Sequence, residues 1–237
     1  MEPPTHTTTA KGAVQVEEPT RAERVIARRA AESRATVPDV ELTVIVDMSA
    51  AVAARPELYA GAAEVPTLTA VVVRAAALAL REHPRANGAY RDGKFELYAR
   101  VNVGVAMMSA GGIAVPTLAD ADAKTTLEID GELRAFAASV RDGTITPPEL
   151  AGATFTVWDL GTLGITSFSP PVLPPQAGIL AVGAVREVPV VRGQDIVAGH
   201  EMNLTLACDH RILYGAQAAG FLTRIRALLE APVELLG

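Results

Sequence analysis

Cys208-Asp209-His210-Arg211-Ile212-Leu213-Tyr214-Gly215-Ala216 is where two kinds of segment meet. Upstream, Glu201 to Cys208 is a mostly apolar, strand-like run. Downstream, Gly215 to Glu230 carries apolar residues at helical spacing and stops at Pro232. Asp209, His210 and Arg211 therefore stand where a strand ends and a glycine-initiated helix begins. Polar residues delivered at a strand end by a rigid sheet are common active-site material. On position alone two readings of His210 stay open: a catalytic base, or a histidine serving the fold.

Working outward, Thr20 to Ala35 brings Ala22, Val25, Ile26 and Ala30 to helical spacing, with Thr20 as the expected N-cap. Val40 to Met48 reads as a half-buried strand, and Val65 to Leu80, charged only at Arg74, as a buried helix. Phe95 to Met108 and Gly112 to Leu118 read as strands joined through the turn residues Ser109 to Gly111. A helix is expected from Asp122 to Arg141, stopped by Asp142 and Gly143. Thr154 to Asp159 and Gly178 to Val185 are further strands, separated by a Gly/Ser/Pro-rich loop from Gly161 to Pro175. Strands and helices mixed without strict alternation predict an α+β domain on a mixed sheet. Residues 1–19 mix Pro, Thr, Glu and Lys without periodicity and read as a flexible arm before a domain over 20–237.

The 237 residues are 49% hydrophobic, 20% charged and 4% aromatic, a balance that can bury a core. Charges break every apolar run before the 18 or so residues a membrane helix needs. The net charge of −6 and the lack of a dense basic patch argue against nucleic acid as a partner. With one cysteine, Cys208, no internal disulfide can form. The polar N-terminus has no secretory core segment, so the expected location is cytoplasmic. His6, His83, His200 and His210 are scattered, and no Cys/His cluster predicts a metal site. His83, beside Pro84, reads as a helix end and His200 as a surface residue. Cys208 reads as a packed small hydrophobe.

The segment from Cys208 to Ala216, with Ala218, Ala219, Phe221, Leu222 and Leu228-Leu229-Glu230-Ala231-Pro232, resembles the C-terminal signature of the 2-oxoacid dehydrogenase acyltransferases. That signature reads Asp-His-Arg-x-x-Asp-Gly before a helix ending Leu-Glu-x-Pro. Arg28 to Pro38 is similar to the family's entry helix and strand start, and Gly111-Gly112-Ile113-Ala114-Val115-Pro116 to its Gly-Leu-x-x-Pro-Val hairpin. Thr154-Phe155-Thr156-Val157 with Leu160-Gly161 and Gly164-Ile165, then Pro174-Pro175-Gln176 before Ile179 to Gly183, complete an ordered set.

The resemblance implies a chloramphenicol-acetyltransferase-like mixed sheet flanked by helices, assembling as a homotrimer or a multiple of trimers with the active site between subunits. It assigns His210 as the general base that deprotonates the acyl acceptor, a task suited to an imidazole titrating near neutrality. Asp209 and Arg211 would brace the turn, and Gly215 would start the helix. Two positions depart from the family. Its Asp or Asn four residues after the histidine is Tyr214, and its oxyanion-binding Ser or Thr falls, by ungapped spacing, on Trp158. Losing an oxyanion donor typically costs about 10²–10³ in rate. Either Tyr214 and Trp158 donate instead, with Thr156 and Ser167 among the nearby candidates for substrate contact, or the two rings simply fill a remodelled pocket.

About 20 residues before the domain leave no room for a lipoyl module. From this the expectation is a stand-alone enzyme similar to tetronate-pathway O-acetyltransferases of antibiotic biosynthesis. It would bind no cofactor, take acetyl-CoA as co-substrate and acylate a small-molecule hydroxyl. The alternatives are a dihydrolipoamide acyltransferase core served by a separate lipoyl protein, and a catalytically silent trimeric scaffold.

Overall fold

The computed structural model describes residues 6–10, 12–61, 64–109 and 111–236. Strands β1 (His6–Thr9) and β2 (Gly12–Gln15) pair antiparallel, so part of the stretch read as an arm is a hairpin too short to show periodicity. Residues 1–5 of that arm, and Ala110 of the expected turn, lie outside the described residues. Helix α1 (Arg21–Thr36) starts where expected, with Thr20 and Glu23 forming a reciprocal capping box. After β3 (Asp39–Asp47) come α2 (Ser49–Leu58) and α3 (Leu68–Glu82), the latter capped by Thr67 and buried along most of its length.

Strands β4 (Gly88–Arg91) and β5 (Lys94–Leu97) form a hairpin of their own, and β6 (Val103–Ser109) begins afresh. The single strand expected from Phe95 to Met108 is broken because the Asn87 side-chain amide donates to the carbonyls of Tyr98 and Arg100, at 3.0 and 2.9 Å. Those carbonyls are thereby taken from any ladder. Then come β7 (Gly112–Ala114), β8 (Thr117–Leu118) and α4 (Thr126–Arg141), with the Thr125–Glu128 capping box setting the helix start. The chain ends in β9 (Phe155–Asp159), β10 (Gly178–Val182), β11 (Arg186–Arg192), β12 (Asp195–Asp209), α5 (Gly215–Glu230) and α6 (Val233–Leu236).

Eight strands make one mixed sheet, the α+β arrangement expected. Strand β10 is parallel to β9 and β9 to β6, whereas β12 runs antiparallel to β10, β11 and β3. Glu201 pairs with both β3 and β11, so β3 holds one edge of β12 while β10 and β11 follow one another along the other. Phe155, Val157, Leu180, Leu204 and Leu206 point to the helix layer and form the main core with α3, α4 and α5. Ile179 and Ala207 point to the opposite face, where Val37 and Val172 cover them and Trp158 packs alongside. Among the described residues, no helix is long and apolar enough to cross a membrane.

Candidate active site

The turn after β12 is fixed from three directions. The Asp209 N–H donates to the Ala177 carbonyl at 2.8 Å, and the His210 N–H to the Pro38 carbonyl at 3.0 Å. The Asp209 carboxylate, with 4% of its side chain exposed, accepts from the Arg211 N–H at 2.9 Å and from its guanidinium at 2.7 to 3.1 Å. That pairing holds the guanidinium above its ordinary pKa. His210, between the two, is held by its backbone while its ring is left exposed. Asp209 and Arg211 are thus paired with one another across the turn that carries His210.

Tyr214 occupies the N-cap of α5 in extended conformation and makes no side-chain cap bond. Its ring stands edge-on to His210, with centroids 5.8 Å apart and planes at 70°. Behind it the Arg85 guanidinium lies 5.6 Å from the Tyr214 ring centre and 4.4 Å from that of Phe95. Arg211 lies 4.8 Å from the Tyr90 ring centre. Sequence reasoning missed Arg85, Tyr90 and Phe95, because nothing in local spacing ties the β4–β5 hairpin to a turn more than a hundred residues later. Gly215 begins α5, and a side chain there would meet nothing within 4 Å.

The remaining candidates lie elsewhere. Trp158 stands level with Ala181 on β10 and, through it, with Thr205 on β12. It is two strands across and five positions back from His210, about 10 Å sideways and about 17 Å along the sheet. One reacting atom cannot touch both side chains within a single chain. Trp158 packs edge-on to Phe168 at 5.4 Å and lines, with Met107, Asp159 and Thr162, a cleft of about 380 Å³ that His210 does not reach. Thr156 is fully buried and its hydroxyl donates to Gln176 Oε1 at 2.7 Å, so the expected substrate contact is in fact a core bond. Ser167 is exposed in the loop after β9. No group of three or more His, Cys, Asp or Glu side chains able to hold a metal occurs among the described residues.

The family model described as 2-oxoacid dehydrogenases acyltransferase (catalytic domain) matches residues 11–237. The chain belongs to this family. Among curated relatives of this acyltransferase domain, the dihydrolipoyllysine-residue acetyltransferase component of the acetoin cleaving system of Bacillus subtilis (strain 168) is 34% identical over 217 residues, which cover 90% of this chain and 54% of the relative. The chain spans about half the length of the curated relatives it matches.

Two solved structures, dihydrolipoamide acetyltransferase of Azotobacter vinelandii and the cubic core of the pyruvate dehydrogenase multienzyme complex, each superpose with a TM-score of 0.91 at 28% identity over the whole of both chains. Chloramphenicol acetyltransferase, at 13% identity and a TM-score of 0.56, shares the fold alone. For the Azotobacter enzyme the residues investigated in catalysis are a serine, a histidine fifty-two positions later and an asparagine four beyond that. At the same offsets this acyltransferase domain has Trp158, His210 and Tyr214.

These findings correct two expectations. The stand-alone O-acetyltransferase of a tetronate antibiotic pathway is overturned, because the relatives are named as acetyltransferase components of pyruvate dehydrogenase complexes and of an acetoin cleaving system. With it goes the small-molecule hydroxyl as acceptor partner, since those relatives are named for a dihydrolipoyllysine residue and dihydrolipoamide. The expectation had been inferred from the short segment before the domain, and the family match itself begins at residue 11, inside that segment.

Proposed function

We propose that this chain is the catalytic core of a dihydrolipoamide acyltransferase, exchanging an acetyl group between coenzyme A and a lipoyl thiol, with His210 as general base and residues 20–237 as the catalytic domain. The observation that carries the reading is the exposed imidazole on a braced strand-end turn, at the offset occupied by the histidine investigated in the Azotobacter enzyme. The imidazole takes the proton of the attacking thiol as its sulfur adds to the thioester carbonyl. The tetrahedral intermediate then collapses, and His210 returns the proton to the departing thiolate. One S–C bond forms and one breaks, with no change of oxidation state. A thiol, with a reference pKa of about 8.5, needs far less help from a base than a hydroxyl does.

The oxyanion needs donors. The Trp158 indole N–H and the Tyr214 hydroxyl are the groups at the offsets of the Azotobacter serine and asparagine, and both can donate. Because Trp158 and His210 are too far apart to meet in one chain, a site using both is completed by a second copy. A trimer, alone or built into a larger core, supplies that copy, in keeping with the cubic core among the solved relatives.

The test is incubation of the purified chain with acetyl-CoA and free dihydrolipoamide, following S-acetyl product by chromatography. Turnover is expected, and His210→Ala should lower kcat by about 10²–10⁴. A wild-type protein that forms no acetyl-dihydrolipoamide refutes the reading.

A further inference from the structure

The rings and guanidinium groups around His210 form one continuous run that starts and ends on the same turn. Arg211 lies over Tyr90, Tyr90 is 6.2 Å from Phe95, Phe95 lies beneath Arg85, Arg85 faces Tyr214, and Tyr214 is edge-on to His210. The β4–β5 hairpin, which supplies Tyr90 and Phe95, therefore clasps the turn from both sides. Arg85 is the member that closes the run. It follows the C-terminal end of α3, and its Nη1 reaches the Ile212 carbonyl at 3.5 Å. Among the described residues it makes no ion pair, and its guanidinium faces these two rings and that carbonyl.

Tyr214 gains nothing from its place in the helix. Asp or Asn at an N-cap accepts a backbone N–H, worth about 1 kcal/mol, and tyrosine there makes no such bond. Its ring is 43% exposed and is held on one side by Arg85 and on the other by His210. The guanidinium and the imidazole are thus the two groups seen to face the ring.

We propose that Arg85 is a positioning residue for the catalytic histidine, acting through Tyr214: its guanidinium, stacked between Phe95 and Tyr214, fixes the ring that orients His210. In relatives with an asparagine at the Tyr214 offset this device has no ring to act on, so it belongs to the tyrosine variant of the site. The kinetic arm of the test rests on the function proposed above, and the spectroscopic arm does not.

Arg85→Met should lower kcat for acetyl transfer to dihydrolipoamide by about tenfold with both KM values within about twofold, the pattern of a lost transition-state alignment. Arg85→Lys, which keeps a cation over the rings, should recover part of the loss. In a Tyr214→Ala background, Arg85→Met should change nothing further, because coupled residues are not additive. In protein labelled with 13C at histidine Cε1, the His210 resonance, assigned by its loss in His210→Ala, should move in Arg85→Met while that of His200 stays. An unchanged kcat, an effect on KM alone, or full additivity with Tyr214→Ala overturns the proposal. So does an unmoved His210 resonance. Should the wild type be inert toward dihydrolipoamide while the resonance still moves, the proposed function fails and the positioning role stands. If Arg85→Met does not fold, Arg85→Lys and Phe95→Leu carry the same measurements.

Discussion

The Asp209–Arg211 pair offers a direct test of what holds the turn, because its two ends are buried unequally. The Asp209 side chain is 4% exposed and that of Arg211 35%. In Asp209→Asn, the amide oxygen can still accept the Arg211 backbone N–H, so the turn survives. The amide nitrogen, however, faces the guanidinium, donor against donor. Charge-assisted hydrogen bonds are worth about 1.5–3 kcal/mol. Since Arg211 recovers some hydration, the expected loss of stability is near the lower end, about 2 kcal/mol. Arg211→Met is the harsher change. It leaves the buried carboxylate without its cation, and an uncompensated buried charge costs about 3–5 kcal/mol.

The predicted order of destabilisation is therefore Arg211→Met beyond Asp209→Asn, although the arginine is the more exposed partner. Urea unfolding at fixed protein concentration measures both, the concentration being held because any assembly stabilises by mass action. kcat should fall in both variants while acetyl-CoA binding persists, since neither group touches the reacting atoms. Equal midpoints for the two variants and wild type, or the reverse order, would refute the bracing role assigned to the pair.

Three further outcomes follow from the packing. Gly183→Ala would drive a methyl group into the Thr166 carbonyl of the loop that carries Phe168; a loss of about 1–3 kcal/mol is expected, with a change in emission from Trp158, the single tryptophan. Phe155→Ala should cost about 3–5 kcal/mol by scanning calorimetry or urea titration, because the ring is fully buried and edge-on to Phe221 at 5.5 Å. Burial, with the charges of Asp209 and Asp39 adding to it, pushes the Cys208 thiol from 9.0 up to about 12. Folded protein should therefore resist Ellman's reagent at pH 8. The unfolded thiol ionises first, so the stability held by this group is complete below pH 9.0 and drains away as the pH rises towards about 12. Cys208→Ala should flatten that alkaline slope.

The parts of the fold that were legible in the sequence are those whose chemistry is local. Thr20 announces α1, the apolar run from Val65 announces α3, and Gly215 to Glu230 is α5 as read. Helix α2 gives a weak local signal, because it is short and Pro56 inside it removes a helical N–H donor. Strand β11 was hidden by Pro189 and by its charged residues, and its place is set by pairing with β12. At the site, the strand end was legible because three polar residues follow an apolar run, while the role of His210 is what the family resemblance implies. The cluster of Arg85, Tyr90 and Phe95 was not, since its contacts with the turn depend on tertiary packing. Thr156 was misplaced for a related reason: sequence does not say which face of β9 is sealed by Gln176.

The pairing of β12 with β3 also dictates when during synthesis the protein can work. Residues near Val40 pair with residues near Cys208, so almost the whole chain is made before β3 meets its partner. Contacts so distant in sequence close slowly, and β3 must wait as an open edge able to pair with other chains. The His210 turn, at the end of β12, forms only when that edge is sealed. The His210 turn and the pairing of β3 are thus reached in the same late step of folding, and a chain stalled before β12 emerges has neither.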